Sequence, residues 1–216
     1  MIGGESSTAS SLFVQSSMLF IAAIVGTGAL SACGHVAAPS CVAVVPTGRA
    51  SEALRQLSSC RGPERFAQMT PMLYRGAQPT PSQLAALRDL GVKSIVSFVD
   101  DSAVVRAEVA AAAPLGLDVH NYPFSGLEAP NPALLRHIID SMREMKGPIY
   151  IHCRLGRDRT SLIAALYRVW VQGWDPVVAW QREARDFGHR GLYSLFFRKL
   201  DRSYWTVIRE STTTRS

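Results

Sequence analysis

The chain has 216 residues, of which 47% are hydrophobic and 19% are charged, a composition that suits a globular domain and excludes a largely disordered chain. The 23 Lys and Arg outnumber the 17 Asp and Glu, which gives a formal net charge of +6, and 20 of these cations are arginine. This excess suits either an arginine-rich genome or selection for anionic ligands. Extended runs of Lys and Arg are absent. We therefore expect no nucleic-acid partner.

An uncharged apolar run occupies residues 18–30 and ends in the tetrad LSAC at residues 30–33. The run is shorter than the roughly 20 residues that span a bilayer, but it has the length of a signal-peptide core. The tetrad resembles the bacterial lipobox, which implies lipidation of Cys33 and an exported, membrane-anchored lipoprotein facing the periplasm or the cell exterior. Glu5 and the absence of Lys and Arg before the run depart from that pattern. Residues 1–33 are thus interpreted as a signal peptide with a lipobox; a secreted protein, an uncleaved anchor and a buried helix are the alternatives.

Two further cysteines, Cys41 and Cys60, lie between the leader and the regular pattern, in an expected N-terminal extension or linker over residues 34–69. Outside the cytoplasm an even pair of this kind can form a disulfide, and we expect a Cys41–Cys60 bridge. Two free or buried thiols are the alternative.

The body of the chain alternates between helical and extended patterns. Thr80, Pro81 and Gln83 have the spacing of a helix-starting capping box. In chain order the pattern predicts a helix from 81 to Gly91, a strand at 92–99, a helix at 102–115 and a strand at 117–124. It then predicts a helix from 132 to 147, a strand at 148–152 and a helix through 162–170. A helix from 176 to about 188 and an amphipathic segment at 192–208 follow. The fold class is therefore α/β, a single domain at residues 70–210 with a small, largely parallel sheet flanked by helices on both faces. Residues 211–216 are expected to form a disordered tail.

The segment YIHCRLGRDRTS at 150–161 places Cys153 between a predicted strand and a predicted helix. Ligands of parallel sheets bind at this edge. Five residues separate Cys153 from Arg159, a length that lets backbone N–H groups converge on one anion next to a helix N-terminus. Gly156 allows a positive φ or a close backbone approach, and the guanidinium of Arg159 can bind two phosphate oxygens. The same positive field lowers the pKa of a thiol, so we expect Cys153 to be a thiolate near neutrality.

The sequence HC-x5-RT at residues 152–160 resembles the signature of cysteine-dependent protein tyrosine and dual-specificity phosphatases. The segments LYRGAQPT at 73–80 and FGHRGLYSLFFRKL at 187–200 are similar to bacterial dual-specificity-like members whose loop reads GxDRT. The resemblance covers about residues 70–205. It implies a protein tyrosine phosphatase-like fold and a reaction through a phosphocysteine, with no cofactor and no metal.

The resemblance also implies a role for each loop residue. Cys153 corresponds to the nucleophile, and Arg159 to the group that binds phosphate and stabilises the transition state. Thr160 corresponds to the hydroxyl that hydrogen-bonds the thiolate, and His152 to the histidine that orients the loop through hydrogen bonds. The substrate-binding set is Arg154, Leu155, Gly156, Arg157 and Thr160. The family usually has glycine where this chain has Ser161.

The general acid is open between two carboxyl groups. In GxDRT loops the aspartate, here Asp158, is implied to be the proton donor. Glu128, in the segment SGLEAPNP, is the alternative. A third interpretation gives Asp158 a structural role, such as pairing with Arg157.

Substrate class is also open. The favoured substrates are phosphotyrosine and the other phosphoamino acids of proteins. Arg154 and Arg157 resemble the two lysines of phosphoinositide phosphatase loops, so an inositol lipid or inositol phosphate is the alternative. A non-catalytic phosphate-binding pseudophosphatase is the alternative of another class. Arg75 and Gln78 lie near the pocket in the family, although we expect solvent-facing or capping roles for them.

Overall fold

The computed structural model describes residues 48–59, 61–189 and 198–213. The predicted signal peptide, the lipidation at Cys33 and the Cys41–Cys60 bridge lie outside these residues. Among the helices that are described, none is both long and apolar enough to cross a membrane.

Five strands form one sheet in the order β1-β2-β5-β3-β4. The strands are β1 (Ala67–Thr70), β2 (Leu73–Ala77), β3 (Ser94–Ser97), β4 (Asp118–Asn121) and β5 (Ile149–Cys153). Only β1 is antiparallel to its neighbour, and β5 lies at the centre, paired in parallel with β2 and β3. The predicted largely parallel sheet is confirmed.

Helices cover both faces of the sheet. The helices are α1 (Arg49–Ser58), α2 (Pro81–Leu90), α3 (Ser102–Ala112), α4 (Pro132–Glu144), α5 (Arg159–Trp170), α6 (Pro176–Trp180) and α7 (Arg198–Thr213). Side chains of α1, α2 and α3 form one apolar cluster with Tyr150, while those of α4 to α7 form a second one with Ile151 and Cys153. Alternate side chains of a strand point to opposite faces, so β5 contributes to both cores.

Several boundaries agree with the sequence pattern. The capping box at Thr80 and Gln83 is present, and Gly91 ends α2 in the left-handed conformation at φ 103°. The helices that begin at Pro132 and Pro176 are each capped by the preceding Asn or Asp side chain.

Other boundaries differ. Helix α1 and strand β1 lie within the expected extension at 34–69, and Leu57 of α1 is fully buried against α2, so the fold starts before residue 70. At the other end, α7 continues to Thr213. The predicted helix from Pro176 to about residue 188 is instead a short α6 followed by a π-helical turn at Gln181–Arg185. Strand β2 was not predicted, because Arg75 and a glycine interrupt its apolar pattern, yet all five of its residues are buried.

Candidate active site

Cys153 ends the central strand β5, and α5 starts at Arg159 after a loop of residues 154–158. We call residues 154–158 the phosphate loop. The loop follows the carboxyl end of β5, between the neighbouring strands β2 and β3. The predicted position of the thiol at the carboxyl edge of the sheet is confirmed.

Three successive carbonyl groups of the phosphate loop accept hydrogen bonds from outside the loop. The pairs are Arg154 O with Gln78 N (3.4 Å), Leu155 O with Arg65 Nη1 (3.0 Å) and Gly156 O with Arg75 Nη2 (3.1 Å). In a planar trans peptide the C=O and the N–H of the next residue point in opposite directions. The N–H groups of Leu155, Gly156 and Arg157 are therefore turned away from these partners, and the Leu155 N–H interacts with the Cys153 sulfur.

Gly156 is the residue that lets the loop pack this closely on the end of β2. Its φ is +65°, and a Cβ atom at this position would lie 2.4–2.5 Å from backbone atoms of Gly76 and Ala77. A side chain would thus meet both backbone strain and a steric clash. Gly156 thus allows the close approach of the loop backbone to the end of β2.

The Cys153 thiol is buried, and its pKa is lowered from its ordinary value. Burial by itself raises the pKa, but hydrogen bonds from the Thr160 hydroxyl and the Thr160 N–H outweigh it, together with the charge of Arg159 and the Leu155 N–H. The buried Thr160 hydroxyl makes no hydrogen bond of regular geometry to any described residue, which leaves it available to the sulfur. The site therefore favours a thiolate.

Arg159 is held by one of its three nitrogen atoms. Nη1 donates to Asp100 Oδ1 (2.8 Å) and to the carbonyl oxygens of Phe98 (2.8 Å) and Phe124 (3.1 Å). Within the described ranges Nε and Nη2 have no hydrogen-bond partner, which leaves one side of the fork for two oxygens of an anion. Arg159 fixes the charge of Asp100 in turn: burial raises the pKa of this carboxyl, but the bond and charge of Arg159 lower it overall. Sequence reasoning missed Asp100, although its position just after a predicted buried strand was the available signal.

Asp158 is nearly buried at 7% exposure and contacts two basic side chains. Its carboxylate accepts from Arg157 Nε at 3.2 Å, and its Oδ1 lies 2.8 Å from His189 Nδ1. The other imidazole nitrogen lies 3.0 Å from Asp201 Oδ1. Burial lowers the pKa of His189, but the two carboxylates raise it above its ordinary value overall.

The other site residues predicted from the sequence differ in their exposure to solvent. Arg154 and Glu128 are exposed, Leu155 is 47% exposed, and Arg157 is partly buried. His152 does not make the expected hydrogen bonds to the loop, because strand alternation places its side chain on the face opposite Cys153; its Nε2 lies 3.1 Å from Glu108 Oε1.

The side chains near the loop offer no metal site. In residues 48–59, 61–189 and 198–213, no group of three or more His, Cys, Asp and Glu side chains could hold a metal ion.

Replacing Thr160 by Val should raise the pKa of the Cys153 thiol, because the hydroxyl donor to the sulfur is lost while the shape is kept. Alkylation by iodoacetamide, followed against pH, measures this pKa directly. The alkylation midpoint should move to higher pH in the Thr160 variant and stay in place in the control Thr206→Val on α7. An unchanged midpoint for Thr160→Val would show that the hydroxyl does not lower the pKa of the Cys153 thiol.

His189 should make the unfolding free energy depend on pH. Its folded pKa is raised above the unfolded value of about 6.5, so its stabilising contribution is complete below about pH 6.5 and is lost as pH rises through the folded pKa. In urea titrations the stability difference between the wild type and His189→Gln should be larger at about pH 6 than at about pH 9. The exposed His137→Gln is the control; equal differences at both pH values would contradict the assignment.

Comparisons with known proteins agree with this geometry. The family model described as "DSP-PTPase phosphatase fused to NAD+ Kinase" matches residues 52–194. The dual specificity protein phosphatase TpbA of Pseudomonas aeruginosa is 38% identical over 112 residues in one strain and 36% identical over 118 residues in another. These alignments cover 52% and 55% of this chain, and 50% and 52% of the relatives, so the chain spans about half the length of the curated relatives it matches.

Solved structures show the same fold. A crystal structure of a P. aeruginosa TpbA variant in complex with pTyr has a TM-score of 0.54 and 29% identity, covering 64% of this chain and 82% of that one. PTPMT1 has a TM-score of 0.53 at 17% identity, covering 68% and 99%, which shows the fold alone. With its family model matched over most of the described residues, the chain belongs to the DSP-PTPase phosphatase family.

Proposed function

We propose that this protein hydrolyses phosphate monoesters through a phosphocysteine intermediate. The observation that carries the proposal is the phosphate loop, whose three carbonyl groups bond to donors outside the loop and whose following N–H groups therefore turn away from those donors, next to a buried thiol of lowered pKa. Backbone donors fixed before the reaction stabilise charge on an oxyanion without reorganisation. Membership of the DSP-PTPase family supports the same chemistry.

In the first step the Cys153 thiolate attacks phosphorus, the P–O bond to the leaving group breaks, and an S–P bond forms. Nε and Nη2 of Arg159 hold two equatorial oxygens, since its Nη1 is already engaged by Asp100. In the second step water attacks the phosphocysteine, inorganic phosphate leaves, and the thiolate returns. The Thr160 hydroxyl stabilises the departing sulfur anion.

The leaving oxygen needs a proton, and we assign Asp158 as its donor. The support is the contact between Asp158 and the buried imidazole of His189, along which a proton can reach the carboxylate. The 3.2 Å pairing of Asp158 with Arg157 supports the structural role instead. Glu128, exposed on the segment after β4, is the alternative donor.

The proposed substrates are phosphotyrosine and the other phosphoamino acids of proteins. The crystal structure of a TpbA variant in complex with pTyr supports this choice, and so does the similarity to TpbA, a dual specificity protein phosphatase. The exposed Arg154 favours an inositol lipid or inositol phosphate as the second candidate. An inositol phosphate would also need Arg157, but Arg157 is already paired with Asp158. This pairing weakens the case for the second candidate.

We also propose that the protein is exported and anchored to a membrane by lipid on Cys33. This proposal rests on the apolar run and the LSAC tetrad of the sequence alone.

The wild-type protein should hydrolyse p-nitrophenyl phosphate in the presence of EDTA, because the proposed nucleophile is a thiolate. Cys153→Ser should lose turnover by at least about 10³-fold, since a serine hydroxyl at this position lacks both the low pKa and the nucleophilicity of the thiol. The measurement is release of p-nitrophenolate. A wild type that binds a phosphotyrosine peptide without hydrolysing it would identify a phosphate-binding module instead.

Asp158→Asn should slow hydrolysis of phenyl phosphate by roughly 10²–10⁴-fold, the usual contribution of acid–base catalysis. A substrate whose leaving group needs no proton, such as a dinitrophenyl phosphate, should be affected much less. Asp89→Asn, a partly exposed carboxylate paired with Arg88, is the matched control. If Glu128→Gln shows this leaving-group dependence and Asp158→Asn does not, the proton donor is Glu128.

A further inference from the structure

An arginine with no exposed surface lies beneath the phosphate loop. Arg75 of strand β2 donates from Nη1 to Glu183 Oε2 at 2.8 Å and to the Glu183 carbonyl at 2.6 Å. The second carboxylate oxygen of Glu183 accepts from Arg168 Nε at 2.7 Å. Two guanidinium groups thus share one carboxylate, and this buried network keeps a net positive charge.

The second terminal nitrogen of Arg75, Nη2, joins the network to the phosphate loop. Nη2 donates to Gly156 O at 3.1 Å and to Ser161 Oγ at 2.8 Å. Gly156 lies in the middle of the loop, whereas Ser161 lies in the first turn of α5. One planar group therefore bridges the loop to the helix that follows it, and the hydroxyl that accepts one of these bonds belongs to a residue that replaces the usual glycine of the family pattern.

Stability alone is a weak reason for such a network. Burying charged groups costs desolvation energy, and apolar residues of similar size often stabilise a fold equally well or better. Arg75 Nε is also buried without a partner among the described residues, which adds to the cost. The π-helical turn that carries Glu183 is a second unusual feature at the same place, and such turns occur frequently at functional sites.

We propose that Arg75 is a positioning residue for the proposed phosphatase reaction, holding the Gly156 carbonyl outward so that the N–H of Arg157 faces the substrate phosphate. The inference rests on the proposed function and adds a residue that acts through the loop without touching the substrate. Ser161 anchors the other contact of the fork, and Glu183 fixes its orientation. The positive charge of the network also lies close enough to interact with the Cys153 thiolate.

The test compares Arg75→Lys, Ser161→Ala and the wild type in full-length protein. Lysine keeps the charge but cannot reach Glu183, Gly156 and Ser161 together, since it lacks the planar fork. Arg88→Lys on the exposed surface of α2 is the matched control. The readouts are kcat and KM for p-nitrophenyl phosphate, tungstate affinity by calorimetry, the pH of half-maximal iodoacetamide alkylation, and the melting temperature.

Arg75→Lys should lower kcat/KM by about 100-fold, the effect of a misplacement near 1 Å in a reacting site, and should weaken tungstate binding by at least about 10-fold. Ser161→Ala should show a smaller loss in the same direction, and it provides the test if Arg75→Lys does not fold. Arg88→Lys should match the wild type in every readout.

The inference is overturned if the folded variants keep the wild-type kcat/KM, tungstate affinity and alkylation midpoint while only the melting temperature falls, since that pattern describes a structural ion pair. Failure of the proposed function would look different. A wild type that binds tungstate but hydrolyses no phosphate ester would contradict the proposed reaction, and the dependence of tungstate affinity on Arg75 would still decide whether Arg75 positions the loop.

Discussion

The proposed chemistry depends on the outward bonding of three consecutive carbonyl groups in the phosphate loop. Each of these carbonyls has a donor outside the loop: Arg65 just before β1, Arg75 within β2, or the N–H of Gln78 just after β2. Because each peptide unit is planar, bonding the carbonyls to donors outside the loop turns the following N–H groups away from those donors. The proposed anion site would therefore be created by contacts that no substrate touches.

The need to bond the loop carbonyls from outside explains the close packing and the buried arginine at the end of β2. The loop approaches so closely that Gly156 has no room for a side chain against Gly76 and Ala77. Directly below, Arg75 joins the loop to the π-helical turn after α6 through Glu183. On the opposite side, Asp100 after β3 holds Arg159 by a single nitrogen and leaves the rest of its fork for a phosphate. The two strands that flank β5 thus position the two halves of the site.

The sequence was sufficient for the parts of the site that are local in the chain. The spacing from Cys153 to Arg159 predicts the loop between β5 and α5, and the alternation of elements predicts the parallel sheet. Contacts between distant segments could not be predicted from the sequence. The π-helical turn brings Glu183 to Arg75, 108 positions earlier, and no periodic pattern in the sequence indicates that pairing. A charged residue within an apolar strand suggests solvent, so Arg75 was expected to be exposed, whereas the structure buries it completely. The partner of His152 was also beyond the sequence, because which residue it meets depends on the face of the sheet that it occupies, and there it lies beside Glu108.

A crystal structure of the protein with orthovanadate bound tests the central claim most directly. We expect vanadium bonded to Cys153 Sγ, with equatorial oxygens accepting from the loop N–H groups of Leu155, Gly156 and Arg157 and from Nε and Nη2 of Arg159. An ordered loop whose N–H groups point away from the vanadate, or vanadate bound elsewhere with Cys153 unmodified, would contradict it.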